Sequence, residues 1–262
     1  MRTLLLLFAL VLAGPAQAQP DALASARRTL DAGTLASDAD SLSSARARLA
    51  VLAGDGEPGA WAVYYGALAD YRLAYAFWGG DAERAGRHAA SGAEALAALR
   101  DRRGLPDALE AEAAALHSAL LSARMGLDPS LAMSLGPAST AAIDEAARLA
   151  PDNPRVQFVQ AMTLASTPPE WGGDPDRALA LFRSSIDGFE AEAGAEADPL
   201  APRWGRDDAY AWAGLSLLQR GDLDGARTAI EAAERLNPTS SFVQYKLKPW
   251  LEAEAAKRAG SQ

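Results

Sequence analysis

The chain has 262 residues, no cysteine and two histidines, and its 25 basic and 34 acidic side chains give a formal net charge of −9. Without cysteine there are no disulfides and no thiolate metal sites, and two isolated histidines, His88 and His117, make a poor zinc site. The acidic balance argues against nonspecific binding to nucleic acid or to an anionic membrane surface.

The first eighteen residues read MRTLLLLFALVLAGPAQA. One early charge at Arg2, an apolar run from Leu4 to Ala13 and small residues at Ala16 and Ala18 make a secretory signal peptide, with cleavage expected after Ala18. The run is shorter than the about 20 residues of a spanning helix. The mature chain is therefore expected to carry no integral membrane segment and to reside in the periplasm or outside the cell.

Beyond residue 18, Ala, Leu, Arg and Glu dominate and strand-like alternation is rare, which favours helix throughout. The punctuation predicts helices over 21–32, 38–53, 59–78, 81–103, 107–125, 138–150, 154–167, 175–192, 207–220, 222–236 and 240–258. Residues 19–58 are expected to form an irregular helix pair, 59–238 a run of helical hairpins, and 239–262 a polar capping helix with a tail. The fold class is all-α, an α-solenoid of antiparallel helix pairs.

A repeated octamer explains how the helices are joined. WGGDAERA occupies 78–85, WGGDPDRA occupies 171–178, and a weaker RGDLDGA occupies 220–226. In each, a glycine (Gly80, Gly173, Gly221) is suited to the left-handed conformation that ends a helix. The aspartate after it (Asp81, Asp174, Asp222) is suited to cap the next helix, and Pro175 fits a first helical position. Ala85, Ala178 and Ala226 follow four residues after the aspartates, where two helices come close.

Candidate binding residues lie on the first helix of each pair. Tyr64, Leu68, Tyr71, Tyr75 and Trp78 recur at helical spacing, with Trp61 and Tyr65 on an adjoining face. They are either core or the wall of a groove, where tyrosine and tryptophan give large contact area at low entropy cost. The same register points Arg155, Phe158 and Met162, and then Asp208, Leu215 and Gln219, toward a concave side. Arg155 has the geometry to hold a partner's carboxylate bidentately, or else pairs with Asp152 or caps a neighbouring helix. The loop AGAEADPLAPRWGR, 193–206, exceeds the usual connection length. Its Trp204, like Trp171, is expected to be buried and to pin its loop.

No catalytic constellation is visible. There is no glycine-flanked nucleophilic serine, and GGDAERAG lacks the Lys-Ser/Thr ending of a phosphate loop. SDADS, 37–41, lacks the further ligands of a calcium loop. No cofactor, metal or catalytic residue is therefore assigned.

The stretch DAYAWAGLSLLQRGDLDGARTAIEAAERLNP, 208–238, resembles a tetratricopeptide repeat. Gly214, Ala226 and Ala233 fall at its small positions, Tyr210 and Ile230 at its large ones, and Pro238 closes the second helix. Together with WAVYYGALADYRLAY, APDNPRVQFVQAMTLASTPPEWGGD and DPLAPRWGRDDA, the order of features resembles uncharacterised exported tetratricopeptide proteins of Bacteroidetes-type bacteria. That resemblance implies a fold and an envelope address, and no activity. The function expected first is a noncatalytic scaffold binding a protein or peptide. The alternative is a small-ligand accessory of an envelope transport system, for which tetratricopeptide-like proteins of TRAP-type transporters are an architectural precedent. An enzyme with an unrecognised carboxylate site comes third. An open concave groove would favour the first, and a closed apolar cavity lined by Tyr71, Tyr75 and Phe158 the second.

Overall fold

A computed structural model describes residues 15–194 and 200–260. The expected signal peptide lies outside the described residues up to position 14, and so do residues 195–199 of the long loop. Among the described residues there are eleven α-helices and no strand: α1 (Pro15–Ala36), α2 (Ala39–Leu52), α3 (Glu57–Phe77), α4 (Ala82–Arg100), α5 (Asp107–Leu127), α6 (Ala132–Leu149), α7 (Pro154–Ser166), α8 (Pro175–Ala193), α9 (Arg206–Gln219), α10 (Leu223–Leu236) and α11 (Lys248–Gly260). No described helix is long and apolar enough to cross a membrane. Consecutive helices pack in antiparallel pairs, α1 with α2 through α9 with α10, and the pairs stack into an all-α solenoid.

The elbows follow from local chemistry. Asp81 Oδ1 accepts the Arg84 amide at 2.9 Å, Asp174 Oδ1 those of Asp176 and Arg177 at 3.1 and 3.0 Å, and Asp222 Oδ1 that of Gly225 at 3.0 Å. Each side chain satisfies donors that the first helical turn leaves open. The glycines divide the work differently from the expectation. Gly221 is left-handed (φ 75°), but at the central elbow the left-handed residue is Gly172 (φ 96°), and neither Gly80 nor Gly173 has positive φ. Gly173 is instead a point of close approach, since a Cβ there would lie 1.7 Å from the Thr167 carbonyl oxygen. Asp174→Ala is expected to lower stability by about 1 kcal/mol. An unchanged urea midpoint would show that the cap contributes nothing.

Helix α6 departs from the sequence expectation. It begins at Ala132, takes in Pro137, and absorbs most of what reads as a loop. Pro137 removes the amide that Met133's carbonyl would accept from, yet Met133 is 85 % exposed, so water replaces that bond. A short 3-10 turn, Pro129–Leu131, precedes it.

Alanine sets the tightness of the stack. In α5, Ala111, Ala113, Ala114, Ala115, Ala119 and Ala123 are buried with Leu109, Leu116 and Leu120, so this central helix is enclosed on nearly every face. Gly214 of α9 meets Ile230 of α10, where a Cβ would come within 2.8 Å of the isoleucine side chain. A second, smaller core joins α9, α10 and the C-terminal segment through Leu215, Leu218, Ile230, Val243, Leu247 and Leu251. That segment passes through a π turn at Val243–Leu247 before α11.

The stack curves until its ends meet. Ser37, after α1, donates from Oγ to the Thr239 carbonyl at 3.0 Å, and Thr239 Oγ1 donates to the Leu35 carbonyl at 2.5 Å. Ser37 holds a left-handed φ of 51° at this junction.

Candidate functional site

The concave side is built from α1, α3, α5, α7 and α9, and it is not an open trough. The strap from Leu200 to Gly205 crosses it. Tyr65 donates from its hydroxyl to the Leu200 carbonyl at 2.7 Å, and Arg27 donates from Nη1 to the Ala201 carbonyl at 3.2 Å. Trp204 then turns inward, buried, and donates from Nε1 to the Tyr64 hydroxyl at 2.7 Å. Its ring lies 6.0 Å from Tyr71 and 6.3 Å from Phe158. Trp204 thus fills the space between Tyr71 and Phe158 in which a closed cavity was one expectation.

Beneath the strap is a buried polar network. Tyr64 donates to Glu112 Oε2 at 3.0 Å, while Asn153 and Arg155 Nε reach Glu112 Oε1 at 2.7 and 2.6 Å. Arg155 also grips Glu192 bidentately, Nη1 to Oε2 at 2.7 Å and Nη2 to Oε1 at 2.9 Å. Burial first, and then the Glu112 charge, hold the Tyr64 hydroxyl well above the usual tyrosine range. Arg155 stays charged because its two carboxylates outweigh its desolvation. Arg155 makes a bidentate grip, and its partners are Glu192 and Glu112 rather than Asp152.

Of the residues expected to line the groove, Tyr64, Phe158 and Arg155 are therefore enclosed, and Met162 and Tyr71 are buried as well. They form part of a continuous file of rings. It runs from Trp78 to Tyr75 (5.1 Å), Tyr71 (4.9 Å), Trp204 (6.0 Å), Phe158 (6.3 Å), Phe182 (6.2 Å), Trp212 (6.3 Å) and Phe242 (5.8 Å). At its α3 end the file surfaces. Tyr75 is 41 % exposed and stacks on half-buried Trp78 with an 18° interplanar angle. Trp78 rests against Gly126 at the end of α5, where a Cβ would come within 2.8 Å of its ring.

Charge sits beside this ledge. Arg72 of α3 spans the Tyr71 and Trp204 rings at 5.7 and 5.8 Å and meets Asp208 Oδ2 through Nη1 at 2.8 Å. Burial raises Asp208 to about 6 against the opposing pull of Arg72, with Asp207 adding repulsion. Asp208, Tyr71 and Tyr75 are thus brought together. Gln219 is exposed and placed elsewhere, in a surface recess of about 340 Å³ with Ala165, Pro175, Asp176, Ser216 and Arg220.

Trp171 contradicts the expectation that it pins its turn: it is 69 % exposed. The turn is instead held by backbone bonds, from Gly173 N to Pro168 O at 3.0 Å and from Asp174 N to Leu164 O at 3.2 Å. Sequence reading missed Glu112, Glu192 and Arg72. Glu112, the one acid of α5 beyond its first turn and set among alanines, carried a signal that an enclosed carboxylate needs a buried cation.

The histidines are engaged in structure. His88 Nδ1 lies 2.7 Å from Asp70 Oδ1, which also receives Arg46 Nε at 2.5 Å. Arg100 Nη1 donates to His117 Nδ1 at 2.7 Å, and burial with this cation pushes His117 down to about 4. Unfolded, the imidazole titrates near 6.5, so from there down to about 4 the unfolded state takes up a proton that the folded state refuses. This contribution is intact above pH 6.5 and is lost as pH falls toward 4. His117→Gln is expected to show a smaller drop in urea midpoint between pH 7 and pH 4.5 than the unsubstituted chain. Equal drops would assign the acid sensitivity elsewhere.

These features define an all-α stack of helix pairs with an occluded concave face and an aromatic ledge at one edge. The HusA haemophore from Porphyromonas gingivalis is a similar solved structure, with 26% sequence identity, a TM-score of 0.58, and an alignment covering 78% of this chain and 93% of that one. No protein-family model and no curated protein matches the chain.

Proposed function

We propose that this chain is a noncatalytic, exported carrier of a flat apolar ring of the haem class, held on the ledge of Tyr71, Tyr75 and Trp78. The observation that carries this reading is the surfacing of the aromatic file, with Tyr75 41 % exposed and stacked 5.1 Å from Trp78. Stacked rings present a polarisable face to a planar ligand at little entropy cost. Likeness to a haemophore supports the ligand class, and the signal-peptide pattern over 1–18 supports export. The helix pairs belong, on this reading, to the tetratricopeptide type.

The test is a haemin titration followed by the Soret shift and by tryptophan quenching. The Tyr75→Ala, Trp78→Ala double variant is expected to bind at least about tenfold more weakly, the loss of two aromatic contacts of about 1 kcal/mol each. Trp171→Ala serves as the control. Equal affinity in the unsubstituted chain and the double variant would sink the ledge.

A second reading is a scaffold for a protein or peptide partner. It is favoured by exposed Trp171, in the turn leading to the recess at Pro175, Asp176 and Gln219. Native mass spectrometry of protein taken gently from its own envelope fraction separates the two. A retained small molecule supports the carrier, and a retained polypeptide the scaffold.

A further inference from the structure

We infer that Arg72 and Asp208 form a proton-gated carboxylate reader, in which protonation of Asp208 frees Arg72 to bind an acidic side group of the ring held on the ledge. The inference rests on the ledge reading and adds to it the charged end of the ligand and the condition under which that end is held.

The geometry begins on α3. Arg72 lies three residues before Tyr75, so the two share one face of the helix. Its guanidinium is steadied between the Tyr71 and Trp204 rings, at 5.7 and 5.8 Å, with little freedom left to lose on binding. Its Nη1 meets Asp208 Oδ2 at 2.8 Å in an ion pair that falls short of a directed hydrogen bond. Asp208 is the outward member: its side chain is 26% exposed, against 12% for Arg72. The oxygen that meets Arg72, Oδ2, is enclosed, so a second carboxylate gains the same cation only when Asp208 gives it up.

The charged and titratable groups around the pair are few. Arg72, Tyr71 and Tyr75 face Asp208 from α3, and Asp207 faces it from α9. Asp207 is itself held by Asn237 Nδ2 at 2.8 Å from the turn after α10. Asp31 of α1 interacts electrostatically with Arg72, as it does with Arg27 and Arg203. Burial has already moved Asp208 up to about 6, which puts its switch within the range of mild acidification. Above that value, ionised Asp208 occupies Arg72 and repels a second carboxylate. Below it, one proton from solvent neutralises Asp208, and Arg72 offers its fork to the ligand. Affinity for an acidic ring should then rise as pH falls, with one proton taken up per ligand bound.

The experiment compares metal-free protoporphyrin IX with its dimethyl ester, which keeps the ring and lacks the carboxylates, by tryptophan quenching from pH 5.5 to 7.5. The diacid is expected to bind about tenfold more tightly at pH 5.5 than at pH 7.5, and the diester equally at both. Asp208→Asn should bind the diacid tightly across the range, and Arg72→Gln should remove the preference for diacid over diester. Asp208→Asn preserves side-chain shape, so the test does not depend on Arg72→Gln folding. A diester that binds while the diacid shows neither preference nor pH response would overturn the reader and leave the ledge standing. A pH response that persists in Asp208→Asn would also overturn it. If neither ring binds, ledge and reader fall together.

Discussion

Trp204→Ala is expected to destabilise the fold by about 3–5 kcal/mol and to open the concave face. The ring is buried against Tyr71, Phe158 and Arg72, and its Nε1 satisfies the Tyr64 hydroxyl. Truncation removes apolar contact, leaves a void among aromatics too rigid to collapse into it, and strips Tyr64 of a donor. Trp204→Phe keeps most of the volume and should recover well over half the loss. Urea unfolding measures the difference. Increased binding of a fluorescent apolar dye by the folded alanine variant would report the opened face. A change below 1 kcal/mol would mean that the strap lies on the surface and fills nothing.

Arg155→Met is expected to cost about 3–5 kcal/mol, because it leaves Glu112 buried without its cation. Glu112 is enclosed, and its remaining partners, Tyr64 and Asn153, are neutral donors. Adding Glu112→Gln to Arg155→Met should restore much of the loss, since what destabilises is the unpaired charge and not the missing bond. The double-mutant cycle by urea unfolding should thus show strong coupling between the two positions. Additive effects would show that Glu112 is solvated well enough to do without Arg155. Arg155 itself is held by two carboxylates of this chain, 43 and 37 residues away.

Much of the architecture was legible in the residues. Eleven helices are where the punctuation puts them, within a few residues at most ends, because Asp81, Asp174 and Asp222 act on amides two or three residues away. One exception is instructive. Pro137 and the Gly-Leu-Asp-Pro run suggested a loop, but α6 continues through Pro137 because the carbonyl it leaves without a donor, that of Met133, lies in an exposed first turn. The candidate site was legible only in part. Helical register grouped Asp208 with Gln219, which the structure places apart, and it could not separate the enclosed Tyr64 and Phe158 from the surfacing Tyr75.

Local chemistry, then, determined what the sequence by itself conveys: all-α class, helix pairs, capped elbows, and no metal or nucleophile motif to assign. Tertiary structure alone decided that the concave side is filled. Trp204 and Tyr64 are 140 residues apart, Tyr65 and Leu200 are 135 apart, and Ser37 and Thr239 are 202 apart. None of these pairings has a periodic signature, since each depends on how far the stacked pairs curve. Curvature is the sum of small rotations at every helix contact, set by which alanines and glycines let neighbours approach. A strap and the two ends of the stack meet only after all those rotations have been added, and their meeting determines which aromatic rings still face water.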